Sequence, residues 1–408
     1  MTAPVTVVGA GIAGLVVARD LARAGVPVTV LEAGDRVGGQ LAAVTVGGVE
    51  VDAAAESFAT RSDAVAGLAA ELGLETVAPL DAPAWLIGAD GRAAPLPAAS
   101  LLGIPAQPFA ADVLGTIGAA GAWRAQLDKL APMLRPGKHR SLGALVRRRM
   151  GRRVLERLVA PVVRGVHSTT PEALPIETAS PGLRAALART GSLAAAVADL
   201  RASAPAGSLV GGIAGGMHRL ARRLAEDAAA HGAELRLGAR VASLDGLPGR
   251  VVVAAPGLAS APARQRTITV ALAAVASTAL DAAPRGTGAL VAEGAPGIAA
   301  RALTHSSAKW SWLRDALPPG RHLVRLSYDG VPEDPAGRVL ADLRAITGAD
   351  DARLEDLAVR GWTRTLAAEP VAADGPIVVG EAGSSTGLAT IVPAARALAA
   401  ALADRGEP

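Results

Sequence analysis

The chain has 408 residues, of which half are hydrophobic and 19% charged, with a net charge of only +4. At about 150 residues per domain this length predicts two or three domains, each able to bury a sizeable core. The absence of cysteine excludes disulfides, thiolate catalysis and cysteine metal sites, and two Phe with one Tyr leave too few rings for a nucleic-acid stacking platform.

The first predicted element is a β-branched strand, Val5 to Val8, which runs into Gly9-Ala10-Gly11-Ile12-Ala13-Gly14. A helix follows, then a second strand at Val28 to Leu31 that ends on Glu32 and Ala33. Strand, glycine loop, helix, strand and acid in this register read as a dinucleotide-binding βαβ unit. Gly9 turns the chain, Gly11 lets backbone approach a pyrophosphate, and Gly14 lets the helix pack on the sheet. The phosphates would sit on the helix N-terminus, with Glu32 accepting from the ribose hydroxyls. Arg36 and Gly38-Gly39 follow, and this E-x-x-x-R-x-G-G continuation resembles FAD-binding flavoproteins of the glutathione-reductase and amine-oxidase types.

Val44 to Asp52 predicts a short strand pair around Gly47-Gly48, and a helix is expected near Asp63 to Leu72. Trp85 to Ile87 with the turn Ala89-Asp90-Gly91 reads as a hairpin. Residues 96–140 are rich in Pro and Gly, and 141–204 reads as helical with proline breaks. Within it, Arg147, Arg148, Arg149, Arg152, Arg153 and Arg157 accompany an apolar stripe, which predicts a solvated helix face; the alternative is a nearby anionic partner.

The ribbon Gly211-Gly212-Ile213-Ala214-Gly215-Gly216 leads into a helix from Met217 to Ala230. Short strands are expected at Glu234 to Leu237, Val241 to Leu244 and Val251 to Ala254. Residues 267–328 read as β-rich with Lys309-Trp310-Ser311-Trp312 on a loop, and 334–347 as helical. Ile377-Val378-Val379, a glycine-rich loop and a helix from Leu388 to Leu402 form a second strand–loop–helix unit. The expected class is therefore α/β (α+β overall), with a discontinuous Rossmann-type dinucleotide domain and insertions. Its parts would be 1–81, 205–260 and 361–408 for the cofactor, 82–96 and 261–360 for a β-rich substrate domain, and 97–204 for a helical subdomain.

Further motifs carry a family resemblance that runs nearly end to end. Ala55-Glu56-Ser57-Phe58, Pro95-Leu96-Pro97 with Gly103-Ile104-Pro105, and Ser141-Leu142-Gly143 through Gly165-Val166-His167 lie in its order. Ser306 to Trp310 and Thr386-Gly387-Leu388-Ala389 complete it. The chain resembles the oxygen-dependent protoporphyrinogen and coproporphyrinogen oxidases, the actinobacterial coproporphyrinogen III type above all. The resemblance implies FAD that oxidises a porphyrinogen in three two-electron steps, with molecular oxygen as acceptor and hydrogen peroxide as product. It places the pyrophosphate at Gly9 to Gly14, the ribose at Glu32, and the flavin end at Gly38, Gly39 and Ala55 to Ser57. Val241 would meet adenine through its backbone, and Trp362 with Thr386, Gly387 and Leu388 would close the isoalloxazine site. Arg164 and Lys309 are candidates for the propionates, with structural roles as the alternative. No catalytic side chain and no metal ligand is assigned.

The chain departs from that family at four places. No basic residue follows Gly39, Pro83-Ala84 stands where an Arg is common, and only a short link joins Leu244 to Val251. A Pro-Gln-Tyr segment is missing between Trp362 and Ile377. Altered substrate choice, reduced activity and harmless loop trimming all fit these losses, so protoporphyrinogen, another amine oxidase substrate and a porphyrin-binding homologue without turnover remain alternatives. The Gly383-Ser384-Ser385-Thr386-Gly387 match to a nucleophile elbow lacks a histidine after it, and Ser306-Ser307-Ala308-Lys309 lacks the partners of an S-x-x-K enzyme. No apolar run approaches a membrane span and no signal peptide is visible. A cytoplasmic location is expected, with peripheral membrane contact and oligomeric state open.

Overall fold

The computed structural model describes residues 3–130, 140–167, 169–202, 210–258, 264–367, 376–383 and 387–404. Two compact units emerge: 1–79 with 205–268 and 360–408, and 80–204 with 269–359.

In the first unit, β1 (Val5–Val8) and β2 (Val28–Leu31) flank the helix α1 (Ile12–Arg23). They belong to a five-stranded parallel sheet in the order Glu234–Arg236, β2, β1, Arg250–Val253, Ile377–Val378. All four residues of β1 are buried, as expected for a β-branched central strand covered on both faces. α1 packs against the helices His218–Ala230 and Leu388–Asp404, so the last strand and helix complete the sheet begun by the first residues. Leu15, Val30, Leu68, Leu220, Val392 and Leu402 share one core. The hairpin Ala43–Val46 with Val49–Asp52 and the helix Ala64–Glu71 also form as expected.

A seven-stranded sheet runs in the order 353–367, 264–276, 321–328, 302–305, 288–291, 84–87, 93–95; its residues belong to the second unit apart from 264–268 and 360–367. The helix Pro335–Thr347 covers one face through Val339, Leu343 and Ile346. Asp334 caps it by accepting the Gly337 N–H at 3.1 Å, with Pro335 at the first position. A second core gathers the helices between Ala111 and Ala202.

Three expectations are corrected. Val241 to Leu244 is irregular and adds to neither edge of the five-stranded sheet. Lys309 to Trp312 is not a loop but the junction of two short helices, Ser306–Lys309 and Ser311–Asp315. Arg149 is not on a solvated face: it is 1% exposed and ion-paired with buried Asp128. The remaining five arginines of that run are exposed. A helix that the Pro/Gly punctuation hid, Ala111–Gln126, is kinked at Gly118, where φ is +71°.

Candidate functional site

The three glycines after β1 are needed for three different reasons. Gly9 has φ +104°, and a Cβ there would lie 3.0 Å from the Ala255 nitrogen. A Cβ on Gly14 would fall 2.0 Å from the Gly9 carbonyl oxygen, so only glycine lets α1 sit on the turn. A Cβ on Gly11 would meet nothing within 4 Å. Gly11 is also the N-cap of α1, and no side chain caps that end. The open space and the uncapped N–H groups of Ile12, Ala13 and Gly14 together suit an anionic pyrophosphate.

Glu32 closes this loop from the side. One carboxylate oxygen accepts the Ala10 N–H at 2.7 Å and the other the Gly34 N–H at 2.8 Å. Each oxygen keeps lone-pair capacity for a hydroxyl donor, and the side chain is half-buried beside exposed Ala33. The Gly38 N–H donates to the Ala10 carbonyl at 2.8 Å, and Gly38 bridges Gly11 in parallel. Arg36 is exposed and donates to the Gly39 carbonyl at 3.3 Å, which holds the Gly-Gly turn closed.

The second loop joins the first through backbone. Ala53 N–H donates to the Ala42 carbonyl at 2.8 Å and Ala55 N–H to that of Gln40 at 3.4 Å. Ala55, Glu56 and Ser57 are half-buried. Gln40 in turn donates to Glu381 at 3.1 Å, while a Cβ on Gly380 would lie 2.7 Å from the Ala13 Cβ. The C-terminal loop therefore begins against the N-terminus of α1. Gly387 opens the last helix, its carbonyl accepting from Thr390 and Ile391 at 3.0 Å, and half-buried Leu388 packs on the core. Thr386 lies outside the described residues. Val241 is half-buried, two residues beyond the Ala239 N–H that donates to the Glu32 carbonyl at 2.8 Å. Trp362 is half-buried in the strand Arg353–Ala367.

The two propionate candidates lie in the second unit. Arg164 faces Glu293 at 3.6 Å and Asp329 at 3.5 Å, and its carbonyl accepts from Arg301, which pairs with Asp329 at 3.0 Å. Lys309 is half-buried with its ammonium 5.0 Å from the Trp310 ring centre. Sequence reading missed Asp52 and His218, a buried hydrogen-bonded pair at 2.9 Å. The one available signal was negative: the helix beginning Met217-His218 has no Ser, Thr, Asp or Asn of its own to cap it. Among the described residues no His, Cys, Asp and Glu cluster suits a metal ion, and no helix is long and apolar enough to cross a membrane.

The family model described as flavin containing amine oxidoreductase matches residues 12–369. The coproporphyrinogen III oxidase of Mycobacterium tuberculosis is 32% identical over 379 residues, covering 85% of this chain and 80% of that protein. A crystal structure from Exiguobacterium sp. 255-15, provisionally described as a protoporphyrinogen oxidase, superposes with a TM-score of 0.79 at 22% identity, covering 99% of each chain. A putrescine oxidase bound to putrescine follows at 0.63 and 17%, covering 99% of this chain and all of that one.

Proposed function

The chain belongs to the flavin-containing amine oxidoreductase family, and from that premise we propose that it is an FAD-dependent oxidase that converts coproporphyrinogen III to coproporphyrin III. It is a flavin-dependent oxidoreductase; the porphyrinogen, the dinucleotide form of the flavin and oxygen as acceptor are the proposal. The observation that carries it is the 32% identity to a coproporphyrinogen III oxidase over 379 residues. A match that covers 85% of this chain takes in its middle as well as part of the cofactor segments.

The described residues fit FAD. The uncapped end of α1 and the open space over Gly11 would hold the pyrophosphate, and the free lone pairs of Glu32 the ribose hydroxyls. A carboxylate at that place repels a phosphorylated ribose. Gly38, Gly39 and Ala55 to Ser57 would line the flavin end, with Trp362, Thr386, Gly387 and Leu388 closing it and the Val241 backbone meeting adenine. A bound FAD would supply hydride acceptance and two-electron transfer to oxygen, three times per macrocycle, with one proton leaving the macrocycle for solvent per round and peroxide as the product. The work of the protein is orientation and exclusion of water, and no side chain is needed as acid or base. Arg164 and Lys309 would meet propionate carboxylates. The segments 1–81, 205–260 and 361–408 would carry the cofactor, 82–96 and 261–360 the substrate, with 97–204 as a helical subdomain.

The test is an aerobic assay of the FAD-loaded protein with coproporphyrinogen III, protoporphyrinogen IX and putrescine in parallel, following porphyrin fluorescence and peroxide. Coproporphyrin formation above the spontaneous rate, with equimolar peroxide per two electrons, is expected. Turnover of putrescine alone, or no turnover despite bound FAD, would overturn the proposal.

A further inference from the structure

The glycine ribbon at 211–216 lies outside the pyrophosphate loop, yet Gly211 and Gly216 in it are sterically required. The strand Val210–Ile213 pairs antiparallel with Phe58–Ala59, Gly211 opposite Phe58. A Cβ on Gly211 would lie 2.9 Å from the Phe58 ring. Gly216 has φ +108°, and a Cβ there would fall 2.5 Å from the His218 ring and 3.3 Å from an Asp52 carboxylate oxygen.

Beyond the ribbon, the helix His218–Ala230 takes its cap from Asp52, far away in sequence. The Met217 and His218 N–H groups each donate to Asp52 at 2.8 Å, one to each oxygen. The His218 Nδ1 adds a third contact at 2.9 Å, and its Nε2 faces Glu50 at 3.2 Å. Asp52 is 7% and His218 4% exposed. Buried charge–dipole contacts of this kind are among the stronger hydrogen bonds.

Asp52 and Phe58 are the two ends of the short loop that contains Ala55, Glu56 and Ser57. Both ends are fastened to the same stretch, residues 211–218. We propose that Asp52 and His218 are positioning residues for the flavin loop, clamping Ala55–Ser57 in the conformation that meets the isoalloxazine. The inference rests on the reading of that loop as a flavin contact. Glu50 extends the clamp, since Arg222 donates to its other oxygen at 2.9 Å.

The test compares Asp52→Ala, Asp52→Asn and His218→Gln with wild type, measuring FAD affinity, the absorption and fluorescence of bound FAD, and the melting temperature of the FAD-free protein. Asp334→Ala is the control, because it removes a helix cap in the other unit. Asp52→Ala should weaken FAD binding about ten-fold, the equivalent of losing a charge-assisted hydrogen bond, and shift the flavin spectrum. His218→Gln, which keeps the backbone donors, should shift the spectrum with a smaller loss of affinity, and Asp52→Asn should lie between. The control should lower the melting temperature and leave the spectrum unchanged. Should Asp52→Ala fail to fold, His218→Gln and Asp52→Asn decide, and wild-type affinity and spectrum in both overturns the clamp. So does a loss of affinity in the control equal to that in the clamp variants. If wild type itself binds no FAD, the proposed function falls and the clamp with it. If wild type binds FAD and the variants match it, only the clamp falls.

Discussion

The carboxylate of Glu32 receives the backbone N–H of Ala10 at 2.7 Å, which ties the end of the second strand to the glycine loop that follows the first. Its other oxygen receives Gly34 at 2.8 Å. The acid thus shapes the loop before any ribose is bound. Glu32→Gln removes the charge and turns one acceptor into a donor facing an N–H. FAD affinity should fall about ten- to hundred-fold, in line with about 1.5–3 kcal/mol for a charged hydrogen bond, while the FAD-free protein stays folded. Equilibrium dialysis with FAD checks this; wild-type occupancy would remove Glu32 from the ribose site.

Gly11 and Gly14, three residues apart, should respond to alanine in opposite ways. The Gly14 Cβ would meet the Gly9 carbonyl at 2.0 Å, so Gly14→Ala forces the helix off the sheet and should cost about 1–3 kcal/mol or more in the FAD-free protein. The Gly11 Cβ would meet no protein atom within 4 Å, so Gly11→Ala should leave the FAD-free melting temperature near wild type and block FAD. Thermal melts with and without FAD separate the two. Equal destabilisation of both FAD-free variants would contradict the pyrophosphate assignment of Gly11.

Arg149 and Arg148 are neighbours with unlike roles. Arg149 pairs with Asp128, which also accepts the Leu193 and Ala194 N–H groups at the start of the helix Leu193–Ala202. Burial pushes the Asp128 carboxyl above its ordinary range, against the pull of Arg149 and those N–H groups. Arg149→Ala should therefore cost about 3–5 kcal/mol, the range for stripping a partner from a buried charge. Exposed Arg148→Ala should cost under about 0.5 kcal/mol. Urea unfolding checks both, and similar midpoints would contradict the buried pair.

His305 and His322 form a buried pair at 3.1 Å, with the His322 Nε2–H directed at the Ser277 carbonyl at 3.0 Å. Burial first, then the neighbouring His322, holds His305 down to about 4, against a smaller opposing pull from Asp281. The unfolded chain, titrating near 6.5, takes up the proton that the folded chain refuses. This stabilising contribution is full above about pH 6.5 and is lost as pH falls toward 4, at no more than about 1.4 kcal/mol per pH unit. His305→Gln, which can still donate to His322, should flatten the acid limb of urea midpoints between about pH 7 and about pH 5. Parallel limbs in the two proteins would refute the assignment.

Much of the first unit was legible because local chemistry and tertiary role coincide there. The β-branched run at Val5–Val8 is buried in the centre of the sheet, between its neighbours Val28–Leu31 and Arg250–Val253. Gly14 is fixed by the carbonyl five residues before it, and Gly9 by its own positive φ. What was not legible depends on distant partners. Asp52 caps a helix 165 residues on, so neither end signals the other. The arginine run has a solvated pattern, and only packing against Asp128 takes Arg149 inside. Val241 to Leu244 has strand composition, yet it pairs with neither edge strand of the five-stranded sheet.

The most direct measurement of the central claim is an anaerobic mix of FAD-loaded protein with coproporphyrinogen III, followed by admission of air. The predicted result is bleaching of the visible flavin band on mixing, its recovery with air, and coproporphyrin fluorescence that grows with repeated cycles. A flavin band that stays oxidised through the anaerobic mix, in protein whose FAD is bound, would contradict it.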